Sequence, residues 1–308
     1  MEISIVIPTY RRPDRIRRAV ESALHQTVAE KEVIVVDDNG KGTDSQKDTQ
    51  FALQDLIDSK AITYLVNPVN RRGSYSRNRG LSIARGRYIT FLDDDDEFHP
   101  DKLKKQITRL DELGEEYSCC FVGYHKIVQN GTVYTSGEHE EGYVYPLVLA
   151  KAIYNGSGSN LVVRTAVANE IGGYDETFRK RQDLEFMARL LKRYKLALVD
   201  EDLMTIHYEI RDNGENYEQL SDADDHYLDV FQQEIDALPG KTAKAINQTI
   251  ALERWRDSIG SEHQRKAFRY LKEAGVTPWL FFRYLCYVAD RVIRKKSYGF
   301  KLVKTTYQ

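Results

Sequence analysis

An α/β fold, with a mostly parallel central sheet flanked by helices and a helical C-terminal extension, is the architecture to which this 308-residue chain points. Three observations carry it. Short β-branched runs of the kind buried in parallel sheets occupy residues 3–7, 33–36, 62–66 and 88–92. Helical-period stretches separate them, and short strand–helix alternation implies right-handed crossovers. From about residue 216 the pattern turns helical and highly charged.

Each element has its own signal. Pro13 suits a first helical turn, and Ile16, Ala19, Val20, Ala23 and Leu24 follow on one helical face. The run 33–36 stops at Asp37-Asp38-Asn39-Gly40, a turn signal. A helix is expected over 51–57 and another over 74–84. The part from 101 to 215 is less regular, with strands over 119–124 and 161–164 and Gly-rich turns at 156–158 and 172–173. A helix begins near Asp183, with Phe186, Leu190 and Leu191 on one side. Three units follow: residues 1–100, 101–215 and 216–308.

Composition narrows the function. With 41% apolar side chains the chain can bury a sizeable core, and a formal net charge of −2 argues against general nucleic-acid binding. Cys119, Cys120 and Cys286 lack metal-ligand spacing, and the adjacent pair reads as buried strand residues in a reducing compartment. The apolar start over 3–7 is too short for a signal-peptide core and runs into Arg11 and Arg12. No uncharged stretch approaches the ~20 residues of a spanning helix. A cytoplasmic protein is expected, with peripheral contact at the inner face of the cell membrane as an option.

The chemistry concentrates at strand ends, where parallel sheets bind ligands. Pro8-Thr9-Tyr10, Asp37-Asp38 and Asp93 to Asp96 should converge on one crevice. Four adjacent aspartates repel and raise one another's pKa, which suggests a counter-charge from outside: a hard divalent cation carrying a phosphorylated substrate. In extended backbone Asp93 and Asp95 point the same way and can share such an ion, while Asp94 faces a ribose hydroxyl. The alternative is an acidic helix N-terminus ahead of Leu103. Asp38 either accepts the imide N–H of a uracil ring or serves the turn. Tyr10 either stacks on a base or packs. Arg71, Arg72, Arg77 and Arg79 lie near a helix start, where guanidinium groups suit diphosphate oxygens, although Arg71 and Arg79 also read as solvated. Asp183 is either a helix cap or a general base. His207 is either a third metal ligand or phosphate contact, or a structural histidine.

In order along residues 3–210, these motifs resemble the family 2 glycosyltransferases of the GT-A (Rossmann-like) fold. The resemblance rests on residues 5–10, the helix ending Ser22-Ala23-Leu24-His25-Gln26-Thr27, the run from Glu32 to Asp38, Arg77-Asn78, and residues 86–96. It implies that Asp38 reads the base in a pocket lined by Pro8 and Tyr10, with Thr9 between them, and that Arg72 and Arg77 flank the nucleotide. Asp93 to Asp95 match the family's DxD element, with Asp95 the direct ligand of Mn2+ or Mg2+. Asp183 matches the acid of a Glu-Asp pair and acts as base in an inverting displacement, although the first member here is Gln182. A nucleotide-sugar donor, probed first as a UDP-sugar, and a saccharide or lipid-linked acceptor in bacterial surface polysaccharide or glycoconjugate synthesis follow from the same resemblance. Processive members carry Gln-x-x-Arg-Trp; here Ala251 precedes Arg254-Trp255, which favours single-sugar addition. Two competing readings are a sugar-1-phosphate nucleotidyltransferase, disfavoured by the absence of a Gly-rich loop after the first strand, and an inactive carbohydrate-binding or assembly protein.

Near the C-terminus Thr277-Pro278 opens a helix with an apolar stripe at Trp279, Phe282, Leu285, Cys286, Ala289, Val292 and Ile293. Basic residues accompany it, so residues 277–308 suit an anionic membrane surface or, equally, packing onto the catalytic domain or a sister subunit.

Overall fold

The computed structural model describes residues 1–208 and 217–303. The first eight elements are β1 (Ile3–Thr9), α1 (Ile16–Leu24), β2 (Lys31–Asp37), α2 (Asp44–Ala52), α3 (Gln54–Asp58), β3 (Thr63–Val66), α4 (Arg72–Leu81) and β4 (Tyr88–Phe91). The middle of the chain forms β5 (Glu97–Phe98), α5 (Lys102–Leu113), β6 (Tyr117–Val128), β7 (Val133–Ser136), α6 (Tyr145–Leu149), β8 (Val162–Arg164), α7 (Thr165–Glu170), α8 (Gln182–Leu191) and β9 (Lys195–Tyr208). Four helices and a short strand close it: α9 (Tyr217–Asp236), α10 (Gly240–Asp257), α11 (Gln264–Glu273), α12 (Pro278–Arg294) and β10 (Lys296–Ser297). The expected boundary at 215/216 lies outside the described residues.

Strand order along the sheet is β10-β7-β6-β8-β4-β1-β2-β3, with β9 paired to both β5 and β6. β1 lies parallel to β2 and β4, and β2 parallel to β3. β8 enters antiparallel to β4, so the parallel half gives way to a mixed half there. Both faces are covered, as parallel strands require. Val6, Ile34, Ile89 and Phe91 face one cluster together with Phe186, Leu190 and Leu191 of α8. Ile5, Ile7, Val33 and Val35 face the other, with α1 and with Leu103, Ile107 and Leu110 of α5. Fully burying each such side chain contributes about 1.5–3 kcal/mol. A third cluster joins α10, α11 and α12 through Leu252, Leu271, Tyr284 and Phe300.

The helix expected over 51–57 is split. The first piece begins at Asp44, capped by Thr43 Oγ1 accepting from the Gln46 amide at 3.2 Å, and it stops at Ala52. Leu53 leaves helical geometry (φ −117°, ψ 7°) and is buried in the core cluster that holds α1 and the sheet residues Val33 and Val35. Only Gln46 and Thr49 of α2 are buried, so no apolar stripe announced it.

Helix α4 packs closely on β1 at Gly80, where a Cβ would lie 2.3 Å from Val6 Cγ1. Alanine ordinarily favours a helix interior by about 1 kcal/mol over glycine. Overpacking costs about 1–3 kcal/mol and wins here. Gly80→Ala should therefore lower the denaturant midpoint, and Val6→Ala in the same chain should recover part of the loss. A Gly80→Ala protein at least as stable as the parent would show that α4 is free to shift.

Candidate active site

Because β1, β2 and β4 run the same way, their carboxyl ends meet at one sheet edge, where crossovers diverge on either side of β1. A cleft of about 1280 Å³ opens there. Pro8, Thr9, Tyr10, Asp38, Arg72, Arg77, Asp93, Asp94, Asp95 and Asp183 all line it; His207 does not.

The four aspartates are not extended. Strand β4 ends at Phe91 and the chain turns, with the Asp96 amide donating to the Asp93 carbonyl at 3.0 Å. The turn points Asp93 to one arginine and leaves Asp94 and Asp95 to share another. Asp93 Oδ1 accepts from Arg77 Nη2 at 2.6 Å. Asp94 accepts from Thr9 Oγ1 at 2.8 Å, the Tyr10 amide at 3.3 Å and Arg12 Nη1 at 2.7 Å. The same Arg12 nitrogen lies 2.5 Å from Asp95 Oδ2. Extended spacing would aim Asp93 and Asp95 alike; the turn sends one to Arg77 and the other to Arg12. Asp94, nearly buried, fixes the end of β1, and burial raises its carboxyl despite the pull of Arg12. Asp96 is wholly inside, accepts from Ser157 Oγ at 2.7 Å and Ser159 Oγ at 2.6 Å, and is pushed by burial up to about 8. Ser159 Oγ also accepts the Asp93 amide at 2.9 Å, tying the turn to the 156–160 loop. Behind it, burial lowers Lys102 to about 7; its Nζ donates to Gln106 Oε1 at 2.9 Å and to the Asn160 carbonyl at 3.2 Å. The acids do not cap α5: its N-cap is Asp101, which makes no side-chain capping bond.

Asp38 holds a corner of backbone. Its carboxylate accepts from the Arg71 amide at 2.8 Å, the Arg72 amide at 2.6 Å and Asn67 Nδ2 at 2.6 Å. The turn role weighed for it is thus realised, and it brings Arg72, at φ 72°, to the cleft rim. Arg79, read as solvated, instead donates to Asn67 Oδ1 at 2.5 Å, whereas Arg71 is exposed and stacks over Tyr75 at 4.2 Å. Arg77 spans the cleft floor, with Nη1 donating to Gln182 Oε1 at 3.2 Å and Nε buried without a partner among the described residues. Asn78 next to it clamps the Gly172-Gly173 turn, exchanging bonds of 2.7 and 2.9 Å with the Tyr174 backbone.

Asp183 stands in the first turn of α8, whose N-cap is Arg181 in the left-handed region (φ 63°) with no side-chain cap. Burial raises the Asp183 carboxyl, against its own backbone hydrogen bond and the nearby Arg77 and Arg181. Gly158 keeps the space before it narrow but open: a Cβ there would sit 3.6 Å from Asp183 Cβ. Arg181 anchors this corner through Asp224 at 3.3 Å and Asp257 at 2.8 Å.

His207 lies on β9, with Nε2 3.6 Å from Glu97 Oε2 and without a hydrogen-bond partner for that nitrogen among the described residues; burial and Arg18 lower its pKa. Among the described residues, no three Asp, Glu, His or Cys side chains converge to cage an ion. Asp93 and Asp95 nonetheless offer hard oxygen donors on the cleft wall, a set suited to an ion completed by phosphate oxygens and water. The sequence reading missed Arg12, Ser157, Ser159 and Lys102. Only the short Gly-Ser-Gly-Ser stretch carried a usable signal, as a loop small enough to tuck under the acids.

The Glycosyl transferase family 2 model matches residues 4–172. The amylovoran biosynthesis glycosyltransferase AmsB of Erwinia amylovora is 28% identical over 220 residues, covering 67% of this chain and 70% of that protein. The putative teichuronic acid biosynthesis glycosyltransferase TuaG of Bacillus subtilis is 32% identical over 196 residues, covering 62% and 72%. Among solved structures, residues 1–349 of S. aureus TarS in complex with UDP-GlcNAc superpose with a TM-score of 0.65 at 17% identity, covering 98% of this chain and 95% of that one. With over half its length matched, and with the Asp93–Asp96 turn and Asp183 at one crevice of a GT-A sheet, this chain belongs to glycosyl transferase family 2 and is a glycosyltransferase.

Proposed function

We propose that the protein is an inverting, cation-dependent enzyme that moves a single sugar from a UDP-sugar to a hydroxyl of a saccharide or lipid-linked acceptor during bacterial surface polysaccharide or glycoconjugate assembly. The observation that carries this reading is Asp183, a carboxylate raised by burial, sharing one cleft with Arg77 and the Asp93 to Asp95 turn. Relatives named for amylovoran and teichuronic acid synthesis support the pathway class, and a neighbour solved with UDP-GlcNAc supports the donor class. Ala251 ahead of Arg254-Trp255 supports single addition.

In this reading residues 1–100 bind the donor and 101–215 the acceptor. Pro8, Thr9 and Tyr10 bound the base, and Asp38, besides holding the Arg71 and Arg72 amides, offers a remaining lone pair to its imide N–H. Arg72 and Arg77 approach the diphosphate, and Asp94 faces the ribose through the Thr9–Tyr10 corner it secures. Asp93 and Asp95 would hold Mn2+ or Mg2+; His207, outside the cleft lining, drops out of the ligand set. When bound, the ion supplies positive charge to the departing diphosphate. Asp183 takes the proton of the acceptor hydroxyl as that oxygen attacks the anomeric carbon from the face opposite the leaving group. Gln182 accepts from Arg77 without adding a second negative charge beside the base.

Asp183→Asn should cut transfer by at least about 100-fold while calorimetry finds donor affinity unchanged; near-normal turnover would remove Asp183 from the reaction. A base works deprotonated, so activity is lost as pH falls through its pKa. Because Asp183 is raised, the acidic limb of the kcat profile should lie above the ordinary aspartate value of about 3.9. That limb should vanish in Asp183→Asn. Asp95→Ala should lose both stimulation by Mn2+ and UDP binding. UDP-sugar affinity that is the same with Mn2+ and with chelator would overturn the cation's role. A thermal-shift panel of UDP-sugars would identify the donor, since a ligand at 100 times its Kd stabilises by about 2.7 kcal/mol.

A further inference from the structure

Helix α12 carries two faces. Leu280, Tyr284 and Tyr287 turn inward, Tyr284 donating to Glu253 Oε1 of α10 at 2.8 Å. On the opposite side Trp279, Phe282, Leu285, Cys286, Ala289, Val292 and Ile293 are all exposed, Trp279 to 68% and Ile293 to 80%. At 100° per residue these seven fall in one unbroken arc containing no charged side chain. The rings of Trp279 and Phe282 stack on each other at 5.8 Å in the open, and Phe268 of α11 is likewise exposed. So contiguous an apolar strip marks a surface that something covers.

Charge identifies the cover. Between residues 259 and 303 the chain holds ten Arg and Lys against three Asp and Glu, although its overall net charge is −2. Arg283, Lys295 and Lys296 are exposed on α12 or directly after it, and Arg265, Arg269 and Lys272 are exposed on α11. A second copy meeting this face about a two-fold axis would set these cations against their own images. An anionic bilayer surface complements both features, accepting the apolar arc below the headgroups and the cations among them. Spanning is excluded for α12 by its arginine-bearing faces, and no described helix is long and apolar enough to cross a membrane.

We infer that the α12 face, with exposed cations of α11, is a docking surface for anionic phospholipid, on which the enzyme lies with α12 in the membrane plane. The inference deepens the glycosyltransferase reading by assigning its acceptor to the lipid-linked class. The surface itself stands on no cleft residue.

Flotation of the full chain tests it, without any sugar readout. Recovery with vesicles of phosphatidylcholine and phosphatidylglycerol in equal parts should exceed that with phosphatidylcholine alone by at least about ten-fold at low salt, and should fall as salt rises. A Phe282→Glu/Ile293→Glu protein should stay unbound, with melting temperature and oligomeric state unchanged because both side chains are exposed. Arg283→Glu/Lys296→Glu should lose the preference for anionic vesicles. The inference is overturned if the full chain does not float, if it floats equally on neutral vesicles, if either variant floats like the parent, or if the full chain is a dimer that Phe282→Glu/Ile293→Glu dissociates. Loss of transferase activity with intact flotation would count against the proposed reaction alone.

Discussion

Negative charge gathered at the end of β4 is the constraint to which the rest of the molecule answers. Asp93, Asp94, Asp95 and Asp96 occupy four successive positions, and Asp183 joins them across the cleft. Neutralising them from within falls to Arg12 and Arg77, and the two arginines divide the work. Arg12 bridges Asp94 and Asp95, whereas Arg77 takes Asp93 and reaches Gln182. Among the described residues no cation lies within hydrogen-bonding reach of Asp96; two serine hydroxyls meet it, and burial holds it towards the protonated form. Breaking a largely buried pair such as Arg12 with Asp94 costs about 3–5 kcal/mol, a large share of the ~5–15 kcal/mol that stabilises a domain. The acids are therefore tolerated only because the fold delivers those side chains to them.

Delivery depends on backbone held in place by polar side chains. Asp38 holds two consecutive amides at the start of α4, so the helix that carries Arg77 starts at a fixed angle. Directly after Arg77, Asn78 locks the Tyr174 backbone, and Tyr174 lies flat on Phe186 at 4.2 Å, inside the helix that presents Asp183. A shift in α4 would thus reach Arg77 and the proposed base together. Such preorganisation matters for chemistry, since misplacing a reacting group by about 1 Å costs on the order of 100-fold in rate.

Much of this was legible in the sequence because strand ends announce themselves. The runs ending near Ile7, Val36 and Leu92 located the crevice, and Asp38, Arg77, the aspartate turn and Asp183 all arrive there. What stayed hidden is what depends on contacts distant along the chain. Arg12 reads as a loop charge until the fold brings it to Asp94, 82 residues away. Ser157 lies 61 residues from Asp96, and small polar residues in a loop carry no periodicity to betray them. Lys102 follows Asp101 at the start of a charged helix, yet it is fully buried and bonds the Ser159 and Asn160 carbonyls. The turn at 93–96 was obscured for a local reason: four aspartates after a strand are as compatible with extended backbone as with a turn, and charge separation decides only once the partners are in place.

The C-terminal helices gain a mechanical meaning from the same network. Glu253 on α10 accepts from Tyr284 of α12 and from Tyr154, and lies 2.6 Å from Arg256. The neighbouring Asp257 holds Arg181, the left-handed residue directly ahead of α8, while Asp224 of α9 holds Arg181 and the buried Lys151. Because Arg256 also lies 3.3 Å from Asp257, a continuous chain of partly buried, charge-assisted bonds joins the inward face of α12 to the turn that aims Asp183. Bonds of this kind have little freedom to lengthen without leaving a charge unpaired, so α12 and the cleft wall are positioned as one body. A surface bound through the outward face of α12 would then fix the height and tilt of the cleft above it, which is the geometry that an acceptor anchored in that surface requires.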